Sequence, residues 1–132
     1  MLHNGVQSMY RGTVSRQDVA KVLTAWQREE LTTQQVWDWA ARRFPDDEDV
    51  GCAYDDKEGD DSVLREVLRE LDCLDMQLVV PEDVPIYLEF LDTPSGEFAR
   101  GYARWRAALD RIDSAERQRQ CRQDPLYRPF CK

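Results

Sequence analysis

Side chains that could carry out catalysis are few and dispersed in this sequence. The one histidine, His3, has no residues spaced around it to orient an imidazole, which excludes Ser-His-Asp and Cys-His arrangements. The six glycines are scattered, so they form no phosphate-binding loop. Carboxylates on polar helix faces should be solvated and chemically ordinary. We therefore expect a protein that is not an enzyme, with no catalytic residues and no cofactor.

The chain has four cysteines that form no Cys-x-x-Cys pair and have no histidine near them: Cys52, Cys73, Cys121 and Cys131. This spacing gives no support for a zinc site or a thioredoxin-like redox motif. In a reducing compartment we expect free thiols, with Cys73 buried on a helix. A disulfide between Cys121 and Cys131 is the alternative if the protein is exported.

The whole net charge of the chain comes from one segment, residues 46–61. It holds nine acids and one base, Lys57, and its net charge of −8 equals that of all 132 residues. The acids are Asp46, Asp47, Glu48, Asp49, Asp55, Asp56, Glu58, Asp60 and Asp61. Aligning Gly51 or Gly59 with the invariant glycine of an EF-hand calcium loop leaves residues without ligand oxygens at ligand positions. We predict a solvated acidic loop; a protein or enzyme that binds a divalent metal through these carboxylates is an alternative.

Aromatic residues near this loop and in the C-terminal tail are further candidates for partner binding. Trp37 and Trp39 are separated by about 200° around a helix, so they cannot both face one core. Trp39 is therefore either covered by another helix or by the tail, or exposed as an anchor for a partner. The predicted partner-binding residues are Asp46, Asp47, Glu48, Asp49, Asp55, Asp56, Trp39, Tyr127 and Phe130.

Apolar residues recur at helical spacing along most of the chain, which predicts an all-α fold. Ser15 with Asp18, and Thr32 with Gln35, have the spacing of capping boxes, which begin helices. Gly101 lies inside a helical stretch, where close approach of another helix would compensate for its low helix propensity. The first two predicted helices run from about 16 to 30 and from 32 to 43. The third begins after a cap at Asp60 or Asp61 and has an apolar face that reaches Leu74. The fourth runs from an entry at Pro81–Pro85 to Leu91, and the fifth runs from Thr93 as cap and Pro94 to 118.

Length and composition favour a single domain over residues 1–132, with about five helices in a compact orthogonal or bundle-like arrangement. Residues 1–14 are expected to be irregular, residues 45–61 to form the acidic loop between helices 2 and 3, and residues 119–132 to form a tail. No apolar run approaches the roughly 18 residues that a membrane span needs. The N-terminus lacks the features of a signal peptide. We expect a cytoplasmic protein with no membrane partner; self-association is compatible with the same apolar stripes.

The first two predicted helices also allow a nucleic-acid hypothesis. Residues 15–23 resemble the first helix of a helix-turn-helix, and residues 31–44 could supply the second. The usual short turn with a glycine is missing, and a net charge of −8 opposes binding to phosphates. A DNA-binding regulator is therefore kept as the second alternative to a protein-interaction module.

Three features resemble small acidic all-helical bacterial proteins of unknown function: the stretch Leu31–Ala40, the acidic segment, and the link Phe90–Pro94 before a helix with an aromatic stripe. The resemblance extends over residues 15–113. The profile is also similar to the immunity proteins that bacteria pair with toxins. This resemblance implies a non-catalytic interaction or inhibitor-type protein with a basic partner, such as a nuclease toxin, and it assigns no residue a role.

Overall fold

The computed structural model describes residues 12–44 and 53–132, and every long element within them is a helix. The all-α prediction is confirmed, with six α-helices in the described ranges where about five were expected. The helices are α1 (Arg16–Gln27), α2 (Thr33–Ala41), α3 (Val63–Asp72), α4 (Val84–Leu91), α5 (Phe98–Asp110) and α6 (Ser114–Cys121). Two short 3-10 helices span Pro81–Asp83 and Arg128–Phe130. The strands β1 (Thr13–Val14) and β2 (Ala53–Tyr54) pair in parallel.

The two predicted capping boxes are both present and explain where α1 and α2 begin. The Ser15 hydroxyl accepts a hydrogen bond from Asp18 N, and the Asp18 carboxylate accepts one from Ser15 N. Thr32 and Gln35 make the same reciprocal pair. Each box satisfies two backbone N–H groups that have no partner within the helix.

The cap of α3 differs from the prediction. Ser62, not Asp60 or Asp61, caps this helix, and its hydroxyl accepts from Arg65 N at 3.0 Å. Asp61 instead pairs through its backbone with Glu58 in a tight antiparallel bridge. Because this bridge closes a turn at residues 58–61, α3 begins at Val63.

The long last helix predicted from 94 to 118 is wrong, because the chain forms two helices there. Thr93 does not cap α5; its hydroxyl donates to Phe90 O at 2.6 Å and closes the end of α4. Asp113 then interrupts the helical run, and its carboxylate caps α6 by accepting from Glu116 N at 3.0 Å. A side chain that bonds its own backbone nearby competes with helix continuation.

The core is centred on α3, which packs against α2 and α4. Its inner face buries Val63, Leu64, Val67, Leu68 and Leu71 almost completely. Burial of each such side chain contributes roughly 1.5–3 kcal/mol. An aromatic layer joins α4 to α5, where the Phe90 and Trp105 rings stack with their centroids 4.4 Å apart.

Gly101 permits that close contact between α5 and the end of α4. A Cβ at this position would overlap the Thr93 side chain. The close approach expected at Gly101 is therefore present, although the neighbour is the residue after α4 and not another helix. Residues 73–80 connect α3 to the first 3-10 helix, with turns at 73–78, so the apolar face expected to reach Leu74 extends beyond the last helical residue, Asp72. Cys73 follows α3 and is only half-buried, which corrects the expectation that it is buried on a helix.

Candidate functional site

The acidic segment is tied to the helical body where its described part begins. β2 pairs with β1, so that Val14 lies opposite Tyr54. The Tyr54 hydroxyl donates to Arg43 O at 2.9 Å, just beyond the end of α2. The acids Asp46, Asp47, Glu48 and Asp49 lie outside the described residues. The described acids therefore follow directly from a strand held against the protein.

Asp56 is used inside the protein, which corrects its assignment as a partner-binding residue. Its carboxylate accepts from Arg16 Nε at 3.0 Å, from the Ser62 hydroxyl at 2.6 Å and from Leu64 N at 3.1 Å. The last two bonds fix the first turn of α3, where a negative charge is favourable. Arg16 also donates to Leu91 O at 3.0 Å, so that one guanidinium joins the acidic segment to the end of α4.

Glu58 makes a second attachment that the sequence did not indicate. Its carboxylate accepts from the Ser95 hydroxyl at 2.6 Å and from Gly96 N at 3.1 Å, in the turn between α4 and α5. These bonds favour the charged form and lower the pKa of Glu58. The serine and glycine of a turn were the only local signal, and a sequence cannot pair them with a residue 37 positions away.

The remaining described acids of the segment, Asp55, Asp60 and Asp61, are exposed. Burial and then the neighbouring charge of Asp56 raise the pKa of Asp55, and the charge of Asp18 adds to this shift. Asp18 lies in the first turn of α1 and is also exposed. The exposed negative charge thus extends from the acidic segment onto the start of α1.

Trp39 lies in a groove next to this negative charge. The groove has a volume of about 390 Å³, and its walls include Val14, Asp18, Lys21 and Arg43. The Trp39 ring is half-buried, and the Arg43 guanidinium lies 4.3 Å from its centroid. Asp18 belongs to the groove and acts electrostatically on Asp55. The structure therefore brings Trp39 and the acidic segment to one side of the protein.

The C-terminal tail docks elsewhere. Tyr127 is only 3% exposed and its hydroxyl donates to Val79 O at 2.5 Å, which removes it from the side chains that a partner can contact. Phe130 is 41% exposed. Tyr127 lines a pocket with Thr33, at the first residue of α2, whereas Trp39 lies about 9 Å further along that helix. Phe130 is not among the residues that line the Trp39 groove.

The described cysteines are free thiols: Cys73, Cys121 and Cys131. Burial, and then the nearby Cys131, raise the pKa of Cys121 to about 11. Residues 12–44 and 53–132 contain no group of three or more His, Cys, Asp or Glu side chains placed to hold a metal ion. None of the helices in these ranges is long and apolar enough to cross a membrane.

Comparison with known proteins gave no match to a family model, to a curated protein or to a solved structure.

Proposed function

We propose that this protein is a non-catalytic interaction module that binds a basic protein partner through the exposed acids and the Trp39 groove. An immunity or inhibitor-type protein paired with a basic toxin is the specific form of this proposal. The observation that supports it best is the attachment of the acidic segment by two of its own carboxylates, those of Asp56 and Glu58. This attachment holds Asp55, Asp60 and Asp61 outward.

The electrostatics of this surface suit fast recruitment of a positively charged partner. Asp18 and Asp55 lie close enough to affect each other, and Asp60 and Asp61 follow within the same segment. Like charges held together on one surface attract an oppositely charged partner over distances of about a Debye length, ~8 Å at physiological salt. The association rate should then be high and should fall steeply as salt is added.

Trp39 supplies the apolar part of the proposed contact. Tryptophan is enriched among residues that dominate interface energies, because its ring buries a large area at a small entropic cost. Arg43 already lies over the ring as a cation. A lysine or arginine of the partner can make the same cation–π contact on the part of the ring that stays accessible.

Measured binding kinetics test the proposal. A partner is first captured from a lysate of the native host at low salt, identified and purified, and its association rate is then measured with the wild type. Asp60→Asn/Asp61→Asn should slow association severalfold at low salt and flatten the salt dependence, because both side chains are exposed and contribute to the surface field. Trp39→Ala should act mainly on the dissociation rate.

The matched control is Glu29→Gln/Glu30→Gln, which removes the same two charges in the turn after α1. This turn lies at the far end of α1 from Arg16, about 18 Å along the helix axis. Association should be almost unchanged in this variant. Recovery of no stoichiometric basic partner, or equal slowing by both double variants, would contradict the proposal.

A further inference from the structure

A second polar cleft lies on another part of the protein, between α3, α4, α5 and α6. Its volume is about 290 Å³, close to the lower end of small-molecule sites at ~300 Å³. Apolar walls are supplied by Leu109 and Ile112. The charged residues that line the cleft are Glu70, Asp83, Asp110, Arg106 and Arg117. None of the residues predicted to bind a protein partner lines it.

Tyr87 lines this cleft with a hydroxyl that is left unsatisfied. The residue is 1% exposed, and its hydroxyl has no hydrogen-bond partner among the described residues. A buried polar group without a partner costs about 1–3 kcal/mol, so such groups are rare in folded proteins. Burial, followed by the negative charges of Glu70 and Asp83, raises the pKa of the phenol, which therefore keeps its proton and is a donor.

The two ion pairs around this hydroxyl differ in how tightly they are held. Arg117 donates to both carboxylate oxygens of Asp83, at 2.8 and 2.7 Å, and both side chains are almost buried. Arg106 and Glu70 are 3.5 Å apart, and the Arg106 side chain is 41% exposed. Among the four charged side chains that act on Tyr87, Arg106 is the most exposed and the one free to turn outward.

We propose that this cleft binds a small organic carboxylate, whose head group accepts hydrogen bonds from the Tyr87 hydroxyl and the Arg106 guanidinium. Its short apolar tail lies against Leu109 and Ile112, both of which are half-buried. A charge-assisted hydrogen bond from Tyr87 then satisfies a buried donor that has no partner among the described residues. Arg106 exchanges a long contact with Glu70 for a direct one with the ligand.

The case for an anion comes from the hydrogen-bonding groups beside the Tyr87 hydroxyl and not from the net charge of the lining, which has three acids and two bases. Asp83 already accepts from Arg117 and from Val80 N, so its carboxylate has little capacity left. Burial raises the pKa of Glu70, which weakens it as a counter-ion for an added cation. When Arg106 turns to the ligand it gives up the 3.5 Å contact with Glu70, and its guanidinium also lies 5.1 Å from the centroid of the Trp105 ring. Tyr87 and Arg106 are therefore the donors that an anion can use next to the hydroxyl, and Asp110 is the lining carboxylate that opposes it.

Titration of the whole protein with hexanoate, hexanamide and inorganic phosphate tests the proposal, followed by amide and arginine side-chain NMR signals. Hexanoate should shift the signals of Leu109, Ile112 and Arg106 in a saturable manner. Hexanamide should bind at least about tenfold more weakly than hexanoate, because it lacks the charge that strengthens both hydrogen bonds. Phosphate should bind weakly, because it has no tail for the apolar wall.

Tyr87→Phe separates a binding role from a structural one. Removal of an unpartnered hydroxyl should leave stability unchanged or raise it, while hexanoate affinity falls about tenfold or more. Arg106→Gln should weaken hexanoate similarly, and Arg104→Gln, an exposed arginine on the same helix, should not. The proposal is overturned if hexanoate does not saturate, if phosphate binds as tightly as hexanoate, or if Tyr87→Phe lowers stability and leaves binding intact. The last result would identify a structural water at the hydroxyl.

Discussion

Replacing Arg117 with methionine should destabilise the fold strongly, because it leaves Asp83 buried without its counter-ion. The Arg117 and Asp83 side chains are 13% and 5% exposed, and the guanidinium bonds both carboxylate oxygens. Arg117 also donates to Leu78 O at 2.8 Å, in the connection before α4. One side chain on α6 therefore holds two points of the segment that precedes α4.

The size of the effect follows from this burial. Removing one partner of a buried ion pair costs about 3–5 kcal/mol, because the remaining charge has no water to replace its counter-ion. The free energy of unfolding of a domain of this size is about 5–15 kcal/mol in total. Since 1 kcal/mol lowers Tm by about 4 °C in such a domain, the loss corresponds to roughly 12–20 °C. Urea unfolding followed by circular dichroism measures the free energy of unfolding directly.

The matched control is Arg119→Met on the same helix. Arg119 pairs with Glu116, and both side chains are 63% exposed, so the loss of stability should be far smaller than in Arg117→Met. The double variant Asp83→Leu/Arg117→Met should recover much of the stability lost in Arg117→Met, since it buries no unpaired charge. If Arg117→Met costs no more than Arg119→Met, the reasoning from burial is refuted.

Three further substitutions test other parts of the structure. Asp56→Ala should cost about 2–3 kcal/mol by urea unfolding, because it removes the bonds to Arg16 and to the first turn of α3. Asp55→Ala removes the same charge and should change stability by less than ~0.5 kcal/mol. Equal losses would contradict the structural role of Asp56. Gly101→Ala should cost about 1–3 kcal/mol because its methyl group overlaps the Thr93 side chain. The cost should be smaller in a Thr93→Ala background, which removes the two nearest atoms, and an equal cost in both would rule out this clash. Burial raises the pKa of Glu70 above its ordinary 4.5, so its contribution to stability is present below that pH and is lost as pH rises through the folded-state pKa. Glu70→Gln should therefore flatten the fall in stability above pH 4.5. An unchanged pH profile would argue against this role of Glu70.

Local sequence signals predicted local structure well in this protein. The capping boxes at Ser15 and Thr32 involve residues three positions apart, so their spacing contains all the information needed. The break between α5 and α6 also has a local cause, the cap formed by Asp113. The apolar spacing continues past the end of α5 to Ile112, so periodicity alone predicts one helix where the capping residue divides two.

The candidate site depends on contacts that no local pattern contains. Asp56 bonds Arg16 across 40 positions and Glu58 bonds Ser95 across 37. Tyr127 reaches Val79 across 48. Each joins an ordinary polar side chain to a polar side-chain or backbone group far along the chain, and the sequence offers many such pairs of equal quality. Composition could locate the negative charge in residues 46–61, but it could not separate the acids that hold the segment in place from those that face outward.

That separation changes how the acidic segment should be tested. Neutralising all of its acids would remove Asp56 from the cap of α3 and Glu58 from the turn before α5, so a loss of binding could arise from a loosened fold. The outward acids Asp60 and Asp61 carry no such bonds, and their removal alters the field at the surface while the attachments stay intact. A change in association rate after that substitution, with an unchanged free energy of unfolding, is therefore attributable to charge alone.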